Sequence, residues 1–137
     1  MFSTTRRVEF HDTDAAGIMH FSRYFTLMEE AEHELLRSLG TSVVGYDEEG
    51  KISWPRVSAK CDFRNSVQFE DELEIMVQVA RVGRSSVTFA FRFRVGEREV
   101  AEGELTADCC RFPVCEPPRS IPLHEPLAGK LRALAAG

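Results

Sequence analysis

The chain has 137 residues, of which 43% are hydrophobic and 28% are charged, a balance typical of a globular protein. Its formal net charge of −5 argues against a nucleic-acid-binding protein, which needs a concentrated basic surface. No apolar run approaches the roughly 20 residues that span a bilayer, and no hydrophobic segment follows the N-terminal arginines to make a secretory signal. We therefore expect a cytoplasmic protein with a single domain over residues 1–137 and no membrane span.

The first predicted elements are a short extended segment, a polar loop and a long helix. Residues 8–10 are apolar at alternate positions, and residues 11–20, HDTDAAGIMH, concentrate carboxylates and imidazoles in one loop. Apolar residues then recur every three to four positions, which predicts an amphipathic helix over about residues 22–39. Ser22 is the expected N-cap, and Gly40 is the expected stop.

The start of this helix and Asp14 together indicate a site for acyl transfer. A helix N-terminus exposes unpartnered amides and a partial positive charge, so it stabilises negative charge on a carbonyl oxygen docked there. Asp14 lies a few residues upstream, close enough for a turn to bring its carboxylate beside the same oxygen. An aspartate before a glycine also commonly caps a turn, and the residues alone leave both interpretations of Asp14 open. The spacing of the loop histidines and aspartates matches no metal-binding pattern, so we expect no metal.

Beyond the helix the pattern changes to strands. Residues 41–51 contain two glycines and an acidic run and are expected to form a surface connection with one short helical turn. Apolar and polar residues then alternate, which predicts strands at residues 56–64, 72–79, 87–95 and 99–110. Each strand has one apolar and one polar face, and the row Phe89, Phe91 and Phe93 is predicted to be core.

The last part of the chain is a C-terminal extension over residues 113–137. Prolines dominate residues 113–126, where regular structure should cease, and residues 127–135 predict a short helix. One long helix followed by four strands indicates an α+β fold in which an antiparallel sheet curls around a central helix. Such a sheet has edges to protect, and pairing with a second copy of the chain would protect them.

The chain resembles the hotdog-fold acyl-CoA thioesterases of the 4-hydroxybenzoyl-CoA thioesterase family, including its Tol-Pal-associated branch. The resemblance is carried by the run VEFHDTDAAGIMHFSRY at residues 8–24, by EEA at 29–31, and by DEL at 71–73 and GRSS at 83–86. It covers nearly all of residues 5–112. The chain departs from the Tol-Pal branch at one point, because that branch usually has tyrosine and then histidine where this chain has His20 and Phe21.

The resemblance implies roles for four residues of the loop and helix start. Asp14 matches the catalytic carboxylate, which either attacks the thioester carbonyl or activates the water that does. The backbone amide of Phe21 would bind the thioester oxygen. Gly17 would let the loop approach the acyl group closely. His20 would lie next to the acyl pocket, either as a packed histidine or as a direct participant in catalysis.

The resemblance also implies a substrate that carries coenzyme A, with no metal and no bound cofactor. The phosphates of CoA need cationic or amide partners, for which we expect Arg84, Ser85 and Ser86, with Arg64 and Arg111 as weaker candidates. The family forms homodimers with active sites at the subunit boundary, and these often pair into tetramers. Acyl-carrier protein is an alternative carrier of the acyl group.

Two other functions remain open at this point. A hotdog dehydratase or hydratase would need a histidine paired with a carboxylate across the dimer, and His20 keeps that function in view. A non-catalytic acyl-CoA or acyl-carrier-protein binding module would have no use for the Asp14 carboxylate. The expected function is therefore hydrolysis of an acyl-CoA thioester to a carboxylic acid and free CoA.

Overall fold

The computed structural model describes every residue from 1 to 137. The helices are α1 (Phe21–Ser38) and α2 (Leu127–Ala136), and a 3-10 turn occupies Phe10–Asp12. The strands are β1 (Phe2–Arg7), β2 (Gly45–Asp47), β3 (Gly50–Ser53), β4 (Arg56–Phe63), β5 (Glu72–Val82), β6 (Ser86–Val95), β7 (Arg98–Asp108), β8 (Cys110–Phe112) and β9 (Arg119–Ser120). Neither helix is long and apolar enough to cross a membrane.

The main sheet has five antiparallel strands in the order β1-β5-β6-β7-β4. Because side chains alternate along a strand, β6 buries Phe89, Phe91 and Phe93 on one face only. The buried stripe of α1 joins these phenylalanines in one continuous apolar cluster. The predicted α+β fold, an antiparallel sheet around one long helix, is confirmed, as is the core role of the phenylalanine row.

The side chain of Met28 on α1 lies directly against the sheet at Gly103 of β7. A Cβ atom at this position would collide with the end of the Met28 side chain and would lie 3.0 Å from the backbone oxygen of Lys60. The backbone oxygen cannot move away as a flexible side chain can. Only a residue without a side chain therefore lets Met28, which is fully buried, lie against the sheet.

Several strands lie outside the predicted ones. The N-terminal strand is β1 and not residues 8–10, and it pairs with the distant strand β5. Residues 41–51 were expected to be a surface connection, but they contain β2 and the first residues of β3, which pair as a hairpin. The single strand predicted at 99–110 is divided at Cys109 into β7 and β8.

The interrupted strand begins a second sheet, of four strands in the order β2-β3-β8-β9. The strand β9 lies within the proline-rich segment 113–126, where no regular structure was expected. Its two residues pair with β8, and a segment this short has no alternating pattern by which the sequence could predict it. The C-terminal helix α2 is confirmed, and it packs against β5.

The helix α1 also buries a carboxylate that the sequence pattern did not identify. The Glu32 side chain is 1% exposed, and its two carboxylate oxygens accept hydrogen bonds from Nη1 of Arg56 at 2.7 and 2.9 Å. Burial raises the pKa of the Glu32 carboxyl, and the Arg56 guanidinium opposes that shift. The pair ties the middle of α1 to the start of β4, one of the two edge strands of the main sheet.

Candidate active site

A tight turn holds Asp14 between the 3-10 turn and α1. The Gly17 amide donates to the Asp14 carbonyl oxygen at 2.9 Å, and the Asp14 amide donates to the carbonyl oxygen of Ile18 at 2.9 Å. Gly17 has a φ of 82°, a backbone conformation that side-chain-bearing residues rarely adopt. The Asp14 Oδ1 accepts a hydrogen bond from the Ala16 amide at 2.8 Å, while Oδ2 makes none within the chain. The turn therefore fixes the carboxylate and leaves one of its oxygens available.

The turn is anchored to the rest of the molecule by Asp12. The Asp12 Oδ2 accepts a hydrogen bond from the Glu9 amide at 2.8 Å, and its Oδ1 lies 2.6 Å from Nε of Arg23. The backbone oxygen of Asp12 accepts from the His20 amide at 2.8 Å. Asp12 is buried, so these interactions are shielded from water. They join the 3-10 turn, the loop and the first turn of α1 into one unit.

The helix begins one residue before the predicted position, and its N-cap is His20, not Ser22. The His20 Nδ1 accepts a hydrogen bond from the Ser22 amide at 3.2 Å, and the His20 carbonyl oxygen accepts from the Arg23 amide at 3.0 Å. An imidazole nitrogen can accept as the usual capping oxygen does, which a pattern based on serine at the cap misses. The amide of Phe21 is left without a partner in the chain. It is a free donor at the helix start.

Asp14 and Phe21 line the same cavity, which has a volume of about 340 Å³. We call it the Asp14 cavity. Its walls come from the turn, the first part of α1 and the segment that follows β4: Asp14, Ile18, Met19, Phe21, Tyr24, Phe63, Arg64, Asn65 and Ser66. The two walls are joined by a hydrogen bond from the Met19 amide to the Val67 oxygen at 2.7 Å and by a bridge between Ile18 and Gln68.

The predicted site residues are distributed unequally around this cavity. Arg64 lines it and pairs with Glu102 at 2.9 Å, an interaction that holds the pKa of the Glu102 carboxyl below its usual range. Gly17 and His20 do not line it. A Cβ atom at Gly17 would meet nothing within 4 Å, so the backbone conformation, not space, is what requires glycine there. The His20 ring stacks on the Phe21 ring with centroids 4.6 Å apart.

The other predicted CoA contacts lie at the opposite end of the sheet within one chain. Ser86 is the first residue of β6. The cavity-lining segment after β4 is hydrogen-bonded to Val100, at the start of β7, which lies beside the last residues of β6. Ten residues of extended strand separate the two ends by about 30 Å. The Ser85 hydroxyl donates to Asp108 at 2.8 Å, and Arg84 is exposed. Arg84, Ser85 and Ser86 can therefore join Asp14 only if a second copy brings them there.

Sequence reasoning did not place Tyr24, Phe63, Asn65 or Ser66 at the site. One signal for Tyr24 was present, because a residue three positions after Phe21 lies on the same helix face. Nothing local indicated the residues after β4, since they reach the cavity only through the fold. No three His, Cys, Asp or Glu side chains are grouped so as to hold a metal ion.

Chemically, the cavity combines a carboxylate and an amide donor beside apolar side chains. The Asp14 Oδ2 can attack or accept a proton, and the Phe21 amide can stabilise negative charge on an oxygen. The rings of Phe21, Tyr24 and Phe63 supply apolar surface. The volume falls within the range of about 300–1,000 Å³ that is usual for small-molecule sites.

Comparison with known proteins identifies relatives with the same architecture. Residues 8–117 match the thioesterase-like superfamily. A 1,4-dihydroxy-2-naphthoyl-CoA hydrolase from Synechococcus sp. (strain CC9605) is 33% identical over 106 residues, which cover 74% of this chain and 71% of that protein. The structure of a gentisyl-coenzyme A thioesterase superimposes with a TM-score of 0.80 at 27% identity, covering 94% of this chain and 99% of that one. A 1,4-dihydroxy-2-naphthoyl-CoA thioesterase from Synechocystis shares the fold, with a TM-score of 0.83 at 20% identity over 97% of this chain and 96% of that one.

Proposed function

The chain belongs to the thioesterase-like superfamily and is a thioester hydrolase, and from that premise we propose that it cleaves acyl-CoA thioesters at the Asp14 cavity. The observation that carries this proposal is the juxtaposition of a carboxylate oxygen without a partner and a helix-start amide without a partner in one cavity. One group acts on the carbonyl carbon and the other on the carbonyl oxygen. The products are a carboxylic acid and free CoA.

The reaction begins when the thioester carbonyl oxygen accepts a hydrogen bond from the Phe21 amide. Negative charge grows on that oxygen as the carbon is attacked, and the partial positive charge of the helix N-terminus strengthens the interaction at that moment. Asp14 then acts in one of two ways. As a nucleophile it forms a mixed anhydride, releases the CoA thiolate and is freed by water. As a general base it takes a proton from the water that attacks the carbonyl, and the tetrahedral intermediate then expels the CoA thiolate.

The substrate class follows from the cavity walls and from the relatives. Three aromatic side chains line the space beside Asp14, and aromatic rings pack well against one another in offset or edge-on arrangements. The named substrates of the relatives, 1,4-dihydroxy-2-naphthoyl-CoA and gentisyl-CoA, carry hydroxylated aromatic acyl groups. We therefore propose an aromatic acyl group for this enzyme.

A homodimer built on β4 would complete the site. The strand is an edge of the main sheet and is exposed on both faces, with Val57 63% and Phe63 49% exposed. Antiparallel pairing of β4 with its copy would protect this edge. It would also set the Arg56 end of one copy beside the Phe63 end of the other. That arrangement would bring Ser85 and Ser86 of the second copy to the cavity end, where they and Arg84 would be available to CoA.

A thiol-release assay with a panel of aliphatic and aromatic acyl-CoAs tests the proposed function. We expect Asp14→Ala and Asp14→Asn to lower kcat by at least about 100-fold, because the reaction loses its nucleophile or base. Glu116→Gln is the matched control, since Glu116 is an exposed carboxylate away from the cavity and from β4, with no hydrogen-bonded or ionic partner in the chain. Full activity of Asp14→Ala would reject the assignment. A dehydratase, in contrast, would release no thiol from any substrate.

A further inference from the structure

Tyr24 has no role in the chemistry described above, although it lies inside the cavity where that chemistry occurs. Of the residues that line the Asp14 cavity, it is the only buried one with a polar side-chain group, at 3% exposure. Tyr24 follows Phe21 by three residues, and helical side chains lean toward the N-terminus. Its ring therefore lies on the same side of α1 as the free amide of Phe21.

Two phenylalanines hold the Tyr24 ring in place. The Phe63 ring contacts it edge-on with centroids 4.9 Å apart, and the Phe93 ring does so at 5.3 Å. Such packing restricts the tyrosine to one orientation. The hydroxyl position is thus set before any ligand arrives, which is the condition under which one polar group can select between ligands.

The Tyr24 hydroxyl is also unused. It makes no hydrogen bond within the chain, and it is not among the fully enclosed polar atoms that lack a partner, so it is an accessible donor on a residue that lines the cavity. The neighbouring polar groups are occupied: the Asn65 amide donates to the Glu99 carbonyl oxygen at 2.6 Å, and Arg64 pairs with Glu102. The Ser66 hydroxyl is free as well, but Ser66 is exposed and water satisfies it.

The hydroxyl stays a donor throughout the physiological range. Burial raises the pKa of Tyr24 to about 12, and the nearby Cys61 adds to that shift while Arg98 opposes it. The phenol is therefore protonated whenever the enzyme works. It can donate one hydrogen bond to an oxygen in the cavity.

We propose that Tyr24 is a specificity-determining residue whose hydroxyl donates a hydrogen bond to a ring hydroxyl of an aromatic acyl group. The inference rests on the proposed function, because the thioester must lie between Asp14 and the Phe21 amide for the acyl ring to extend toward Tyr24. A ring without the hydroxyl fills the cavity, displaces water and leaves the tyrosine donor unsatisfied. Such an unpaired group costs free energy, so the enzyme disfavours the unsubstituted ring.

The test compares Tyr24→Phe with the wild type on benzoyl-CoA and on its 2-, 3- and 4-hydroxy derivatives. The substitution removes one oxygen and keeps the ring that Phe63 and Phe93 contact. Tyr46→Phe is the matched control, because Tyr46 is the only other tyrosine, lies on β2 and is 75% exposed. Values of kcat/KM are measured for each substrate by thiol release, with thermal unfolding as a check on folding.

We expect the wild type to prefer at least one hydroxybenzoyl isomer over benzoyl-CoA by about 3- to 10-fold, the range of a neutral hydrogen bond. Tyr24→Phe should abolish that preference, mainly by raising kcat/KM for benzoyl-CoA, because the substitution removes the donor that the unsubstituted ring leaves unsatisfied, while Tyr46→Phe keeps the preference. An equal loss on every substrate would overturn the proposal in favour of a packing role.

The wild type supplies a second measurement that does not depend on the variant. If it hydrolyses all the benzoyl substrates equally, Tyr24 does not recognise the hydroxyl and the proposal is overturned. Failure of the proposed function gives a different result, in which the wild type releases no more thiol from any acyl-CoA than Asp14→Ala does.

Discussion

We predict that Arg56→Met destabilises the protein strongly, because it leaves the Glu32 carboxylate buried without its partner. The Glu32 side chain is 1% exposed, so water cannot replace the two hydrogen bonds that Arg56 donates. Methionine keeps most of the apolar contact made by the arginine stem. The change therefore tests the charge pair more than the packing.

The expected loss in the free energy of unfolding is about 3–5 kcal/mol, the cost of removing one partner of a buried pair. The second contact of Arg56, to Glu29 at 3.3 Å, involves a carboxylate that is 48% exposed. Exposed pairs contribute at most about 1 kcal/mol, so Glu32 accounts for most of the effect. The double variant Arg56→Met, Glu32→Leu removes both charges and should lie within about 2 kcal/mol of the wild type.

The deficit should also depend on pH. Burial raises the folded-state pKa of Glu32 above its ordinary value of 4.5, so the folded protein holds this proton more tightly than the unfolded chain. The stabilisation gained by protonating Glu32 is fully present below the pKa that Glu32 has in the unfolded chain, and it is lost as pH rises through the pKa that Glu32 has in the folded protein. Arg56 lowers the Glu32 pKa, so removing Arg56 extends to higher pH the range in which folded Glu32 is protonated. Acidification should therefore reduce the deficit of Arg56→Met, but not that of the double variant.

Urea unfolding at neutral and mildly acidic pH measures these differences. Trp54 is the only tryptophan and is buried, so its fluorescence reports unfolding. The chain concentration is held constant, because any association of folded chains adds to the apparent stability. A loss below about 1 kcal/mol for Arg56→Met, or a double variant as unstable as the single one, would refute the reasoning.

Three further predictions concern the cap and two glycines. His20→Ala should lower the free energy of unfolding by about 0.5–2 kcal/mol and should lower kcat, because the first turn that carries the Phe21 amide frays. His20→Asn should restore both quantities, because the asparagine side chain can cap the helix. An inactive His20→Asn would instead indicate imidazole chemistry. Gly17→Ala should lower the free energy of unfolding by about 1–2 kcal/mol and should lower kcat/KM by shifting Asp14. Gly96→Ala is its control, because Gly96 has a φ of 60° and a Cβ atom there meets open space. It should lose as much stability and leave kcat/KM unchanged. Gly103→Ala should cost about 1–3 kcal/mol in thermal unfolding by crowding Met28 and the sheet. The double variant Gly103→Ala, Met28→Ala should lose less than the two single losses together, and additive losses would contradict the crowding.

The sequence alone determined the elements that depend on local patterns. The apolar spacing predicted a helix over 22–39, and α1 spans Phe21–Ser38 because that spacing sets which side of a helix can be buried. Alternation likewise placed β4, β5 and β6. The loop motif identified Asp14 and the helix start as neighbours, because a turn of few residues joins them. The His20 cap was missed because imidazole is an uncommon acceptor at that position.

Tertiary structure decided everything that joins distant segments. The strand β1 exists because it pairs with β5, about seventy positions along the chain, and its own residues carry no strong alternation. The far wall of the Asp14 cavity, with Phe63 and Ser66, reaches Asp14 through the hydrogen bond from Met19 to Val67. The same fold leaves Arg84 at the other end of the sheet from Arg64, although the family resemblance implied that both residues contact CoA. Local periodicity reports which face of an element is apolar, whereas the partner of that face is chosen by long-range packing, which no short window of sequence contains.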